Sequence, residues 1–180
     1  IRIMNYGYIG LGNLGGHIAA SLIRAGHQVT VYDRDPSLAV RMSEMGATVA
    51  GSAAEVAAAT DHVFTCLPSP AVSELVLAEI LPKMKPGSTW IENSTLGRDD
   101  IIRLGAVAEA AGICLLEAPV TGGVHLAARG EITVLAGGDA DLVALHRPAL
   151  EVIGNKLFHM GPLGSAAIIK VITNMLAFIH

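Results

Sequence analysis

Hydrophobic positions in this 180-residue chain come in two rhythms that take turns from one end to the other. Short, dense apolar runs at 6–9, 29–32, 48–50, 62–67, 89–92, 113–118, 132–136 and 156–159 predict strands. Between them, apolar residues return every third or fourth position over 37–45, 52–59, 70–81, 99–111 and 139–153, which predicts helices. The punctuation agrees with this reading. Gly46 and Gly112 follow helices, and Pro68 stops a strand. Ser52 with Glu55 has capping-box spacing, and Pro70 falls in a first turn, where its missing N–H costs nothing. The segment 119–130 reads as a loop. Strand and helix alternating in this way predict an α/β fold, a Rossmann-type doubly wound and mostly parallel sheet.

The last stretch breaks the rhythm. Residues 165–180 are apolar nearly all round and reach the final residue with no Gly, Pro or cap to stop them. A helix of that kind is expected to be buried between packed layers. We read 1–164 as one α/β domain and 165–180 as the start of a helix that is expected to continue into further material.

Composition supports the buried sheet. The chain is 52% hydrophobic and 16% charged, with mean hydropathy +0.52. No uninterrupted apolar run is long enough to predict a membrane span, so a sheet covered on both faces is the simpler source of apolarity. A net charge of −4 without a basic cluster argues against a nucleic-acid partner. Residues 1–5 carry no signal-peptide profile. Cys66 and Cys114 fall in apolar strand-like runs and read as buried, reduced thiols, which points to the cytoplasm.

Chemistry first shows at the end of the first strand. Gly10, Gly12 and Gly15 stand at G-x-G-x-x-G spacing where a strand turns into a helix. The first glycine allows a tight turn, the second a close approach of backbone to pyrophosphate, and the third close helix–sheet packing. The backbone at Leu11, Asn13 and Leu14 completes the turn. The next strand ends in Asp33, eighteen residues after Gly15, where a carboxylate can accept from a ribose hydroxyl. That carboxylate favours NAD over NADP, although Arg34 directly follows and can meet a 2′-phosphate. No set of metal ligands stands out, so no metal is expected.

Three further segments follow strands, where ligands gather in an open α/β sheet. Leu67 and Pro68 can wall the cofactor, and Asn93, Ser94 and Thr95 offer polar groups near the nicotinamide side. Thr121, Gly122 and Gly123 can present consecutive N–H groups to a substrate carboxylate. Lys170 is the single charged residue of the last helix, with Asn174 one turn later on the same face. Desolvated there, a lysine becomes a candidate for proton transfer.

Taken in order, these motifs resemble the β-hydroxyacid dehydrogenase family over essentially the whole chain. Residues 7–15 resemble its cofactor signature and 118–123 its substrate-binding motif, where Ser is commoner than Thr121. Lys170 falls on its catalytic lysine, Asn174 on its substrate-holding amide and Thr95 on a cofactor-contacting position. Ala166 stands for a usual Gly, and Thr173 for the first of two usual Asn. The resemblance implies hydride transfer between NAD(P) and a small 3-hydroxy carboxylate. It also implies that 1–164 is the dinucleotide-binding domain and 165–180 the start of a long interdomain helix, leading to an all-helical C-terminal domain that supplies part of the substrate pocket and the homo-oligomer contact. Two rivals are a nucleotide-binding module without catalysis and an imine reductase of related fold. Lys170, Asn174 and the Thr-Gly-Gly turn weigh against the first, and Lys170 weighs against the second.

Overall fold

The computed structural model describes residues 2–179; Ile1 and His180, the last residue of the expected final helix, lie outside the described residues. Six strands run parallel: β1 (Asn5–Ile9), β2 (Gln28–Tyr32), β3 (Thr48–Val49), β4 (His62–Thr65), β5 (Thr89–Glu92) and β6 (Cys114–Glu117). They lie in the order β3-β2-β1-β4-β5-β6, the doubly wound arrangement whose reversal point falls between β1 and β4. The connecting helices are α1 (Gly15–Arg24), α2 (Pro36–Glu44), α3 (Ala53–Ala59), α4 (Pro70–Ile80) and α5 (Arg98–Ala110).

Alternation along each strand divides the core between the two faces. Tyr8, Phe64, Ile91 and Leu116 point to one face, covered by α1, α2 and two later helices. Their neighbours Ile9, Val63, Trp90 and Leu115 point to the other, covered by α3, α4 and α5. Both faces of the sheet are buried, which accounts for the high hydropathy.

The far edge departs from the simple pattern. The 119–130 segment, expected as a loop, contains β7 (Val120–Thr121) and a short helix α6 (Gly123–Ala128). The helix formers after Gly123 suffice for one and a half turns, but no side-chain cap announces them. β8 (Thr133–Gly137) pairs antiparallel with β6 and β7 on one side and parallel with β9 (Lys156–Gly161) on the other. α7 (Ala140–Ile153) joins β8 to β9.

The final helix is α8 (Ser165–Ile179). Only Ala166, Ala167 and Lys170 are buried, while Ile168, Val171, Ile172, Met175, Leu176, Phe178 and Ile179 are exposed. Among the described residues, α8 packs chiefly on β8, β9 and α5. The cysteine reading is corrected in one respect. Both thiols are free, but Cys114 is exposed at the start of β6, and Cys66 is half-buried beside the glycine turn, its thiol pushed up to about 12 by burial. No described helix is long and apolar enough to cross a membrane.

Candidate functional site

The glycine turn takes its shape from close contacts. Gly10 has φ +97°, and a Cβ there would run into the Cys66 carbonyl. A Cβ on Gly15 would run into the Gly10 carbonyl, so α1 can start against the turn only at a glycine. Gly12 differs, because a Cβ there would meet nothing within 4 Å. Packing therefore explains Gly10 and Gly15, whereas Gly12 is bare toward open space.

That space is a cavity of about 420 Å³ lined by Gly10, Gly12, Asn13, Leu14, Gly15, Asp33, Arg34, Leu67 and Pro68 together with apolar neighbours such as Val72 and Val76. α1 begins at its rim without a side-chain cap. In contrast, Asp35, Ser52, Ser69 and Asp139 cap α2, α3, α4 and α7. The uncapped N–H groups and partial positive charge of α1 suit a phosphate. Asp33 frames the other side, accepting the Leu11 N–H at 2.8 Å through Oδ2 and the Asp35 N–H at 2.8 Å through Oδ1. Leu11 thus contributes through its backbone, with its side chain in the core.

A buried polar chain aligns the ends of the central strands. Tyr8 donates to Asn93 Oδ1 at 2.9 Å, and Asn93 Nδ2 donates to the Ala118 carbonyl at 2.8 Å. The Leu67 N–H donates to Ser94 Oγ at 2.6 Å, and the Ser94 N–H donates to Glu92 Oε1 at 2.9 Å. Both polar atoms of Asn93 and the Ser94 hydroxyl are spent on protein partners, so they position the loop. Thr95, just beyond, is exposed and does not line the cavity.

The remaining candidates lie at the far edge. Gly122 (φ +123°) and Gly123 (φ +80°) both occupy the left-handed region, and both are exposed where β7 turns into α6. Thr121 pairs with Thr133 and is half-buried. Lys170 is 9% exposed, the one buried lysine or arginine among the described residues, and has no hydrogen-bond or ion-pair partner among them. Burial pushes its ammonium below the ordinary lysine range. Asn174, one turn further on, is exposed. The cofactor candidates are thus gathered around one cavity, whereas Thr121, Gly122, Gly123, Lys170 and Asn174 are outside its lining.

Glu117 escaped sequence reasoning. It is 1% exposed, and its carboxylate bonds the start of α8. The signal was present as an acid ending an otherwise apolar strand.

Residues 5–161 match the family described as the NAD binding domain of 6-phosphogluconate dehydrogenase. A 3-hydroxyisobutyrate dehydrogenase of Pseudomonas aeruginosa is 36% identical over 172 residues, covering 94% of this chain and 58% of that protein. An NAD-dependent L-serine dehydrogenase of the same organism matches with the same identity and coverage. The solved structure of the Mycobacterium tuberculosis 3-hydroxyisobutyrate dehydrogenase with L-serine superposes with a TM-score of 0.95 at 34% identity, covering 98% of this chain and 60% of that one. An imine reductase from Myxococcus stipitatus superposes with a TM-score of 0.91 at 19% identity, a likeness of fold alone. The chain spans about 58% of the length of the curated relatives it matches.

Proposed function

Because the chain belongs to the family of NAD-binding domains found in 6-phosphogluconate dehydrogenase, we propose that its cavity takes NAD in preference to NADP and serves an oxidoreductase. The substrate we assign is a small 3-hydroxy carboxylate, of the 3-hydroxyisobutyrate or 2-hydroxy-3-oxopropionate type. The cofactor, when bound, supplies the hydride chemistry. The chain's own residues do the rest. The backbone N–H groups at Gly12 and Asn13 hold the pyrophosphate, Asp33 takes the adenine ribose, Leu67 and Pro68 wall the remainder, and Thr95 meets it from beyond the cavity lining. Thr121 Oγ1 and the N–H groups of Gly122 and Gly123 bind the carboxylate. Lys170 Nζ accepts the hydroxyl proton in oxidation and returns it in reduction, while Asn174 orients the oxygen.

The observation that carries this reading is Lys170 itself, buried, without a polar partner among the described residues, and with its charged form disfavoured by burial. Desolvation disfavours the ammonium, which eases the proton transfer that a general acid–base performs. We extend the reading to a cytoplasmic homo-oligomer completed by a helical domain beyond α8. It is supported by the free thiols and by the apolar face that α8 presents.

The test is Lys170→Ala in the whole protein, against 3-hydroxyisobutyrate, L-serine and related 3-hydroxy acids. Turnover should fall by about 10²–10⁴, the range for losing a general acid–base, with cofactor affinity nearly unchanged. Near-normal turnover would remove Lys170 from the mechanism.

A further inference from the structure

Glu117 closes β6 one residue before the 118–123 segment, and it is an acid in an apolar setting. No lysine or arginine pairs with it among the described residues. A buried carboxylate without a counter-ion is costly unless hydrogen bonds replace its water. Here the start of α8 replaces it. Glu117 Oε2 accepts the Gly164 N–H at 3.0 Å, and Oε1 accepts the Ala167 N–H at 3.0 Å. The partial positive charge of the helix start adds to both bonds. α2, α3, α4 and α7 take their caps from the residue just before them, but α8 takes its anion from 47 residues upstream. Gly137 stands opposite Glu117 in the sheet, and a Cβ there would run into the carboxylate. Gly137 thus leaves room for this carboxylate.

We propose that Glu117 is a positioning residue, which fixes the start of α8 and through it Lys170. The proposal rests on the proton-transfer reading of Lys170. Lys170 lies in the second turn of α8, about 9 Å along the axis from Gly164, with no polar contact of its own to hold it. Its place is therefore set by its helix. Loosening the first turn displaces the ammonium and lets water reach it. A displacement of about 1 Å at a reacting centre can cost on the order of a hundredfold in rate.

The experiment uses the whole protein with Glu117→Gln, Glu117→Ala and Glu117→Asp. Hydrogen exchange at the amides of 164–170 is read beside cofactor affinity, the pH dependence of Lys170 acylation, and the pH profile of turnover. Gln keeps the shape but replaces one acceptor with a donor, so one of the two amides loses its partner. Exchange over 164–170 should then quicken by about tenfold or more, with the glycine turn unchanged. The Lys170 titration should move back up toward the ordinary lysine range as its desolvation relaxes, and the pH profile should move with it. Turnover should fall by about tenfold or more at unchanged cofactor affinity. Asp keeps both acceptor oxygens and should retain more of each property than Gln. Wild-type exchange and wild-type Lys170 titration in both Gln and Ala variants would overturn the proposal; if Ala does not fold, the Gln variant decides. Shifts in exchange and titration with turnover intact would support the hold on Lys170 and overturn its proton-transfer role instead.

Discussion

The two ends of the parallel strands treat polar groups in opposite ways. At the carboxyl ends, the N–H groups that open α1 have no side-chain cap, and Gly12 faces open space. At the amino ends, three histidines pack around Tyr6 and most of their polar atoms are paired. Tyr6 Oη and His146 Nδ1 are 2.8 Å apart, and His146 Nε2 lies 2.9 Å from Thr89 Oγ1. His62 Nδ1 accepts the Thr89 N–H at 3.0 Å, and His27 Nδ1 accepts the Met4 N–H at 3.1 Å. The His62 and His146 rings meet edge to face with centroids 4.5 Å apart. Chemically versatile residues are thus richer at the amino end, yet the ligand reading belongs to the other. What separates the ends is whether polar groups are left open, and a glycine does that as well as a histidine.

The contrast can be broken first at the glycines, where the largest effect is expected. Gly15→Ala forces a Cβ into the Gly10 carbonyl and should cost about 2–4 kcal/mol of stability along with cofactor binding. Gly12→Ala meets nothing, so its thermal midpoint should stay near that of the wild type. It should nonetheless weaken the cofactor at least tenfold, about 1.4 kcal/mol, by standing where the pyrophosphate approaches. Parallel calorimetry and cofactor titration of the two variants check this. Equal loss of stability in both would mean that Gly12 serves packing and that the open face has no ligand to admit.

At the amino end the lever is pH. Burial lowers all three histidines, His146 to about 3, with Arg2 and Lys85 opposing the charge on His62 and Asp61 favouring it. Protonation would also put a hydrogen on an Nδ1 that now accepts one from the backbone. The folded state therefore resists protons that the unfolded chain takes up below its ordinary histidine value of about 6.5. Stability should be whole above that value and fall as pH drops toward about 3, by up to about 1.4 kcal/mol per pH unit for each proton taken up. Glu92 and Glu117, both raised by burial, act with the opposite sign, gaining stability as pH falls. Urea midpoints at pH 7 and pH 5 measure the balance, and His146→Gln should flatten the slope. A slope that His146→Gln leaves unchanged would contradict the neutral, buried cluster.

The same contrast sorts what could be read from the chain alone. The strands and most helices were legible because both faces of the sheet are buried and each βα connection is local. The glycine turn was legible because its spacing carries its own geometry. α6 was hidden by the two glycines before it, and what covers α8 is not legible because an apolar helix carries no mark of its partner. The histidines were hidden for a different reason. His27, His62 and His146 are far apart in sequence and meet only when β2, β4 and α7 converge on Tyr6. Glu117 is the same case, since its partners Gly164 and Ala167 lie beyond β9. Local spacing shows turns and caps, but a bond across 47 residues leaves in the sequence only an acid where apolar residues are expected.

The smallest effect lies at Asp33, which belongs to both sides of the comparison. Its oxygens already accept the Leu11 and Asp35 N–H groups, as a structural residue's would, yet it lines the cavity and remains half-buried. A carboxylate has lone pairs left after one bond to each oxygen, so holding the turn does not prevent it from accepting a ribose hydroxyl. It would repel a 2′-phosphate at the same place, whereas the exposed Arg34 beside it would attract one. With both present, the wild type should bind NADH more tightly than NADPH. Asp33→Asn, which keeps an acceptor but removes the charge, should narrow that gap by about tenfold, or 1.4 kcal/mol. Adding Arg34→Ala should restore part of the gap by weakening NADPH alone. Fluorescence titration of both reduced cofactors against the three proteins reads this directly. Tighter NADPH than NADH in the wild type would show that Arg34 outweighs Asp33, leaving the carboxylate to hold the turn and no more.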